Sequence, residues 1–413
     1  MNPAAAPRAS GPLSHLRVLD LSRVLAGPFA TQNLADMGAE VIKVEKPGDG
    51  DDTRGWGPPF VKADPAARGD SAYFLSANRN KKSITVDLAK PQGQALIKRL
   101  AAQCDICVEN YKVGTLARYG LDYAALSAVN PRLVYCSITG FGQTGPYAPR
   151  PGYDFVFQGM GGLMSITGVP DGQPGAGPMK VGVAVADLVT AMYATVAILG
   201  AVEQRHVSGR GQHIDIALLD CLIALTSFQT LNWFVSGEVP RRLGNGHPNI
   251  VPYQVFACKG GYIILAVAND GQFRSFAQAV GKPEWAEDER FKVGAARGAH
   301  RDLLCGLVAE LMMARTMHEW IELLEAHNVP CGPINNIDQV FDDPQVQHRG
   351  MRVPMRHASG EISLLASPLR FSDTPVRYEL PPPLLGEQTD AVLRGLLGLG
   401  DDELRDLRAQ RIV

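Results

Sequence analysis

Short apolar runs alternate with helix-length stretches over the first 140 residues, and this alternation restricts the fold more than any other feature. "HLRVLDLSRVLAGPFATQNLADMGAEVIKVEKPGDGDD" reads as strand, loop, helix, strand, loop. Here "RVLDLS" is a short apolar strand and "AGP" breaks it. Phe29 to Met37 then forms a helix stopped by Gly38, and "AEVIKVE" is the next strand. "KKSITVDL", a helix from Pro91 to Gln103, and "CDICVEN" repeat the unit, and "PRLVYCSITG" adds a further apolar strand. A strand–helix–strand crossover is right-handed almost without exception, so serial units wind a parallel sheet with helices on both faces. The expected fold is α/β, a large Rossmann-like domain on a parallel sheet with a smaller α+β domain.

Ligands on such sheets sit beyond the carboxyl ends of the strands. Those ends read "SRVLAGP", "VEKPGDG", "VENYKVG" and "SITGFGQTGP". None is a GxGxxG opening a helix, and there is no GxxxxGK[ST], so the dinucleotide and nucleoside-triphosphate signatures are missing. Arg23, Lys46, Arg79, Lys81, Lys82, Lys112 and Arg118 all fall at or just after these proposed strand ends. A solvated surface accounts for most lysines and arginines. Several cations on one rim also suit the phosphates of a large anionic substrate, either coenzyme A or a nucleotide.

The chain boundaries follow from composition. Residues 1–10 read as a disordered tail and 11–210 as the N-terminal part of the large domain. Residues 211–232 read as a helical linker, 233–300 as the small domain and 301–314 as a second linker. Residues 315–413 complete the large domain. Between Tyr147 and Val181 a Gly- and Pro-rich segment forms a long loop around one short helix, the kind of loop that often carries function. The formal net charge of −2, with no basic block of five or more, argues against a nucleic-acid or membrane partner. Seven scattered cysteines fit a reducing compartment. A cytoplasmic location is expected. A mitochondrial presequence stays open, since the tail carries Arg8 and no acid.

"KVGVAVADLVTAMYATVAILGA" holds a single acid, Asp187, in an apolar run of helix length. A spanning helix would have to carry that carboxylate into the bilayer, so a buried core helix is the expected reading. The bland role for Asp187 is a helix N-cap, since it precedes "LVTAMYATVAILGAVEQ". The functional role is a nucleophile on an apolar wall, sharpened by desolvation and steadied by the helix N-terminus. Both can hold at once.

Other candidates are weaker. Asp154, in Gly152-Tyr153-Asp154, is a second carboxylate in a loop, where a solvated or turn-forming role is common. Cys104 and Cys107 form one CxxC without a second pair or nearby histidines, so core packing is expected rather than a metal site. His247 in "GNGHPN" has no paired histidine, and Ser137 in "CSITG" lacks the GxSxG elbow of a hydrolase.

Taken together, "RVLDLSRVLAGP", "GAEVIKVEKPGDGDDTR", "FLSANRNKKSITVDL", "VENYKVGTLARYGL", "SITGFGQTGPYAPRPGYD", "GVAVADLVTAMYA", "SGRGQHIDIALLD", "VPCGPINNIDQV" and "PPPLLGEQT" resemble the class III CoA-transferases of the CaiB/BaiF type, from Leu16 to about Val413. The resemblance implies a coenzyme A thioester as substrate, no permanently bound cofactor and no metal. It places the nucleophilic aspartate on Asp187. That carboxylate would form a mixed anhydride and then an aspartyl-CoA thioester. It places coenzyme A binding on Arg23, Val24, Leu25, Ala26, Lys46, Leu75, Asn110, Tyr111 and Arg118. It further implies an interlocked homodimer.

Departures narrow the substrate. Leu25 stands where formyl-CoA transferases carry glutamine, and Gly244, Asn245, Gly246 and His247 stand where they carry a four-glycine loop. Both count against formate and oxalate. The 2-methylacyl-CoA racemases of the same family place a proton-transferring histidine where this chain has Tyr153, and a phenol is a poor base at neutral pH. The motifs "DDTRGWGPPFV" and "GPINNIDQVFDDPQV" are most similar to the branch using succinyl-CoA and a dicarboxylate such as glutarate. Itaconate, mesaconate, citramalate and benzylsuccinate stay open as acceptors. The distal carboxylate of a dicarboxylate needs a cation, for which Arg54, Arg79 and Arg242 are the candidates.

Overall fold

The computed structural model describes residues 11–61 and 69–413; the tail expected over 1–10 lies outside the described residues. The described chain forms two compact units. The larger comprises residues up to 163, 180–237 and 347–413, and the smaller 164–179 and 238–346. The smaller unit is therefore wider than the 233–300 expected. It takes in part of the Gly/Pro-rich segment, and the expected linker 301–314 and residues 315–346 of the expected last segment belong to it.

Six strands build the sheet of the larger unit: β1 (Arg17–Asp20), β2 (Glu40–Glu45), β3 (Lys81–Thr85), β4 (Ile106–Glu109), β5 (Val134–Thr139) and β6 (His213–Ala217). They pair in the order β3-β2-β1-β4-β5-β6, every pair parallel. This is the 3-2-1-4-5-6 order of the doubly wound dinucleotide-binding fold, although the glycine fingerprint is missing. The strand order reverses between β1 and β4, and the crevice beyond their carboxyl ends is where such sheets take ligands.

The strands are apolar on both faces because helices cover both faces. Val18, Ile106, Val108, Val134 and Cys136 face one core, while Leu19, Ile42, Cys107 and Tyr135 face the other. Cys104 and Cys107 are thus core residues, and burial pushes the Cys104 thiol up to about 12. The first core is closed by helices α1 (Ala26–Asp36), α2 (Asp154–Met160) and α3 (Val185–Ser208). Helix α3 is long and apolar enough to cross a membrane, but Ala186, Ala191, Ala194 and Ile198 are fully buried in this core. The alanines let it lie close to α1, where the Asn33 amide donates to Thr195 Oγ1 at 3.4 Å.

One segment corrects the sequence reading. Residues 211–232, expected as a helical linker, begin with strand β6 before turning into helices α4 (Leu218–Leu225) and α5 (Ser227–Ser236). "HIDIA" alternates polar and apolar residues, the period-two signal of a strand. The smaller unit is α+β, as expected. An antiparallel sheet of β7 (Tyr253–Cys258), β8 (Gly261–Ala266) and β9 (Cys331–Gly332) packs with helices on a core that includes Phe256, Ile263, Phe273, Phe276, Leu304 and Trp320.

Candidate active site

The loops that leave β1 and β4 are tied together at the switch point. The Asn110 side chain accepts from the Arg23 backbone N–H at 2.9 Å and donates to the Arg23 carbonyl at 2.6 Å. Glu109 accepts from the Tyr111 N–H at 2.8 Å, fixing the turn after β4. Val24, a β-branched residue, holds φ at +70°, a strained conformation costing roughly 1–3 kcal/mol. Its N–H donates to both oxygens of Asp51 at 3.2 Å. Asp51 in turn meets the Lys43 ammonium at 2.8 Å, both side chains essentially buried. Against the effect of burial, Lys43 and the N–H and hydroxyl of Thr53 hold Asp51 down to about 2. A buried ion pair under the loop thus keeps its backbone in a shape it would not choose alone.

Above these loops lies a cavity of about 190 Å³, lined by Arg23–Ala26, Asn110–Val113, the end of β5, the Arg150–Tyr153 loop and Asp187. Arg23 stacks over the Tyr111 ring at 5.7 Å and pairs with Asp52 at 2.9 Å. Both partners of that pair are half exposed, so it holds Arg23 only weakly against an incoming phosphate. Arg150 lies over Tyr147 at 4.5 Å, a cation on the cavity wall that the sequence reading did not single out.

Asp187 is not the N-cap of its helix. Helix α3 starts at Val185 with Ala184 in the cap position, so Asp187 lies in the first turn. The capping oxygen comes from elsewhere: Asp154 Oδ1 accepts the Ala186 N–H at 2.7 Å across 32 residues. The Asp187 carboxylate is partly buried, and among the described residues none donates a hydrogen bond to it. Burial, then the nearby charge of Asp154, pushes it up to about 7. A carboxylate without donors, on the wall of a cavity, is poorly solvated and correspondingly nucleophilic.

Of the residues proposed for coenzyme A, the structure brings Arg23, Val24, Leu25, Ala26, Asn110 and Tyr111 to this cavity, together with Asp187 and Tyr153. Leu75 is buried, Arg118 is exposed at the end of the helix Thr115–Arg118, and exposed Lys46 pairs with Asp49 at 2.6 Å; none of the three lines it. Arg79, Lys81 and Lys82 do not form a phosphate rim. Lys81 and Lys82 open strand β3 at its amino end rather than closing it, Lys81 is buried against Asp20, and Lys82 pairs with Glu40.

The arginines offered for a distal carboxylate are engaged within the fold. Arg54 binds Glu45 through two bonds of 2.7 and 2.8 Å, Asp70 at 2.9 Å and the Pro383 carbonyl at 3.1 Å, with its guanidinium 3.7 Å over Phe74. Arg79 binds Asp36 and the Leu365 carbonyl. Arg242 pairs with Asp171 and the Val169 carbonyl in the smaller unit. Gly244, Asn245, Gly246 and His247 form a turn in that unit, and Gly244 needs its positive φ of +58°. Ser137 meets His213 Nε2 at 3.0 Å in a neighbouring cavity, but Glu109 bonds the serine rather than orienting the imidazole, so no hydrolase triad is built.

Residues 13–389 match the model of CoA-transferase family III. The chain is 50% identical over 391 residues to the succinate–glutarate CoA-transferase of Agrobacterium fabrum, covering 94% of this chain and 97% of that protein. It is 43% identical over 403 residues to the human succinyl-CoA:glutarate CoA-transferase, covering 97% of this chain and 90% of that one. The crystal structure of a CaiB/BaiF family protein from Brucella suis superposes with a TM-score of 0.82 at 46% identity, over 94% of this chain and all of that one. A switch-point crevice without nucleotide fingerprints, a donor-free aspartate on its wall and a family match over nearly the whole length lead to one assignment: the chain belongs to CoA-transferase family III.

Proposed function

We propose that this protein transfers coenzyme A from succinyl-CoA to glutarate, with Asp187 as the covalent nucleophile. The observation that carries the mechanism is the Asp187 carboxylate, unbonded and raised in basicity, on the same cavity as Arg23 and Asn110. The names of the relatives at 50% and 43% identity support the choice of substrates. Asp187 attacks the thioester carbonyl, expelling the thiolate and leaving a mixed anhydride. The thiolate then attacks the aspartyl carbonyl, giving an aspartyl-CoA thioester and free succinate. Glutarate attacks that thioester, and coenzyme A returns to the glutaryl group. Every step conserves an activated acyl group, so water must be kept from it. Leu25, Ile138 and Leu218 on the cavity wall suit that requirement.

The active form is a homodimer in this reading. Helices α4 and α5 leave Ile223, Phe228, Leu231, Trp233 and Phe234 exposed, an apolar surface that a second subunit would cover.

Intact-mass measurement after incubation with succinyl-CoA tests the mechanism. Wild type should gain the mass of coenzyme A less one water, Asp187→Asn should not, and glutarate should discharge the adduct as glutaryl-CoA. An unmodified wild type, with no acid accepting coenzyme A, would sink the assignment. Exchange of a branched acyl-CoA α-proton with deuterium would then be the measurement to make, because it reports a racemase.

A further inference from the structure

Asp154 and Gln158 lie one turn apart on helix α2, and both reach to the start of α3. Gln158 is fully buried. Its Oε1 accepts the Val181 N–H at 2.8 Å, and its Nε2 donates to Asp154 Oδ2 at 2.7 Å and to the Val183 carbonyl at 3.3 Å. Asp154 Oδ1 takes the Ala186 N–H. The segment leading to Asp187 is therefore clamped at 181, 183 and 186 by two side chains. A neutral oxygen could accept the Ala186 N–H, but only a carboxylate offers a second acceptor oxygen to Gln158 Nε2. The carboxylate also places a negative charge beside Asp187.

Among the described residues, the other charged or titratable groups facing Asp187 are few. Arg23 and Lys112 line the cavity from the loops after β1 and β4, and Arg150 and Tyr153 line it from the segment before α2. Tyr73, from the short helix Ala72–Leu75, is pushed up to about 12 by burial and then by Asp187, Asp154 and Asp51, so it stays neutral.

We propose that Asp154, seated by Gln158, is a positioning residue that fixes the first turn of α3 and, by like charge, makes the free Asp187 carboxylate the unfavourable state, so that covalent capture of the acyl group is favoured. The proposal rests on Asp187 being the nucleophile. When its oxygen bonds the thioester carbonyl carbon, the carbon–sulfur bond breaks and the negative charge leaves with the thiolate. When sulfur then bonds the aspartyl carbonyl carbon, the anhydride carbon–oxygen bond breaks and the charge leaves with succinate. In both covalent states Asp187 is neutral and the repulsion from Asp154 is gone.

The test compares wild type with Asp154→Asn, Asp154→Ser and Asp154→Glu, all checked by thermal melting. The readouts are the acid limb of the kcat/KM profile and the equilibrium ratio of adduct to free enzyme with succinyl-CoA. The neutral variants should move the acid limb to lower pH, and the adduct ratio should fall roughly tenfold for each pH unit moved. Asp154→Glu should stay near wild type in both. An acid limb that does not move in a folded neutral variant, whatever happens to kcat or Tm, would reduce Asp154 to a helix cap. Failure of the underlying reading looks different: wild type would form no adduct, or Asp187→Asn would still form one.

Discussion

Asp187 carries its charge against the interest of the fold. Its carboxyl is pushed up to about 7 in the folded chain, from an ordinary value of 3.8. Below pH 4 it is protonated whether folded or unfolded, and it makes no difference. Between pH 4 and pH 7 the unfolded chain ionises first, so stability falls as pH rises. Above pH 7 the whole penalty is in place, with an upper bound of about 4 kcal/mol. Asp187→Asn removes the ionisation. It should therefore melt higher than wild type at pH 8, with the difference closing towards pH 4, while losing transferase activity throughout. Differential scanning calorimetry across that range measures it. An Asp187→Asn that melts lower than wild type at pH 8 would mean that the helix N-terminus stabilises the anion more than burial and Asp154 destabilise it.

At the scale of elements, the buried Lys43–Asp51 pair connects strand β2 to the strained loop after β1. Lys43→Met keeps the side chain's length but leaves Asp51 buried without its cation. Removing one partner of such a pair costs about 3–5 kcal/mol. The urea midpoint should fall accordingly, and KM for succinyl-CoA should rise in the surviving folded protein, because Asp51 also accepts the Val24 N–H. Unchanged urea midpoint and KM would show that the loop holds itself. Most strands of the large sheet could be read from sequence because both their faces are buried, which makes "RVLD", "ICVE" and "VYCSIT" largely apolar runs. Strand β6 could not, because "HIDIA" runs directly into the apolar helix "LLDCLIAL" and its short alternation is lost in that run. The cap of α3 could not be read either. Helix α3 starts two residues before Asp187 because its acceptor comes from Asp154, a contact that local sequence does not encode. Arg150 gave no signal, since only the fold of the Gly/Pro-rich loop brings it to the cavity. Arg54 and Arg79 misled for the opposite reason: an arginine's partners decide whether it is structural, and Glu45, Asp70 and Asp36 declare themselves only in three dimensions.

For the whole molecule, the question is what covers helices α4 and α5. Val235 is 85% and Phe234 65% exposed, and Leu231 and Trp233 about half. Single exposed apolar residues need no explanation, but a run of them along two consecutive helices exceeds what a monomer ordinarily shows to water. Interfaces of permanent homodimers are apolar in this way, resembling a core cut in half. Helix α3 adds Met192, Tyr193 and Val196 on its outer side, so the helix that carries Asp187 would itself lie near that interface. Assembly and activity should then be coupled. Sedimentation of the full chain should give a particle of twice the 44.4 kDa subunit mass. Replacing both Trp233 and Phe234 by aspartate should release monomers, whose far-ultraviolet circular dichroism stays folded while adduct formation with succinyl-CoA drops. A wild type that sediments as a monomer at assay concentration and turns over normally would leave the apolar helices without this explanation. A dissociated variant that still forms the adduct at the wild-type rate would separate assembly from the chemistry of Asp187.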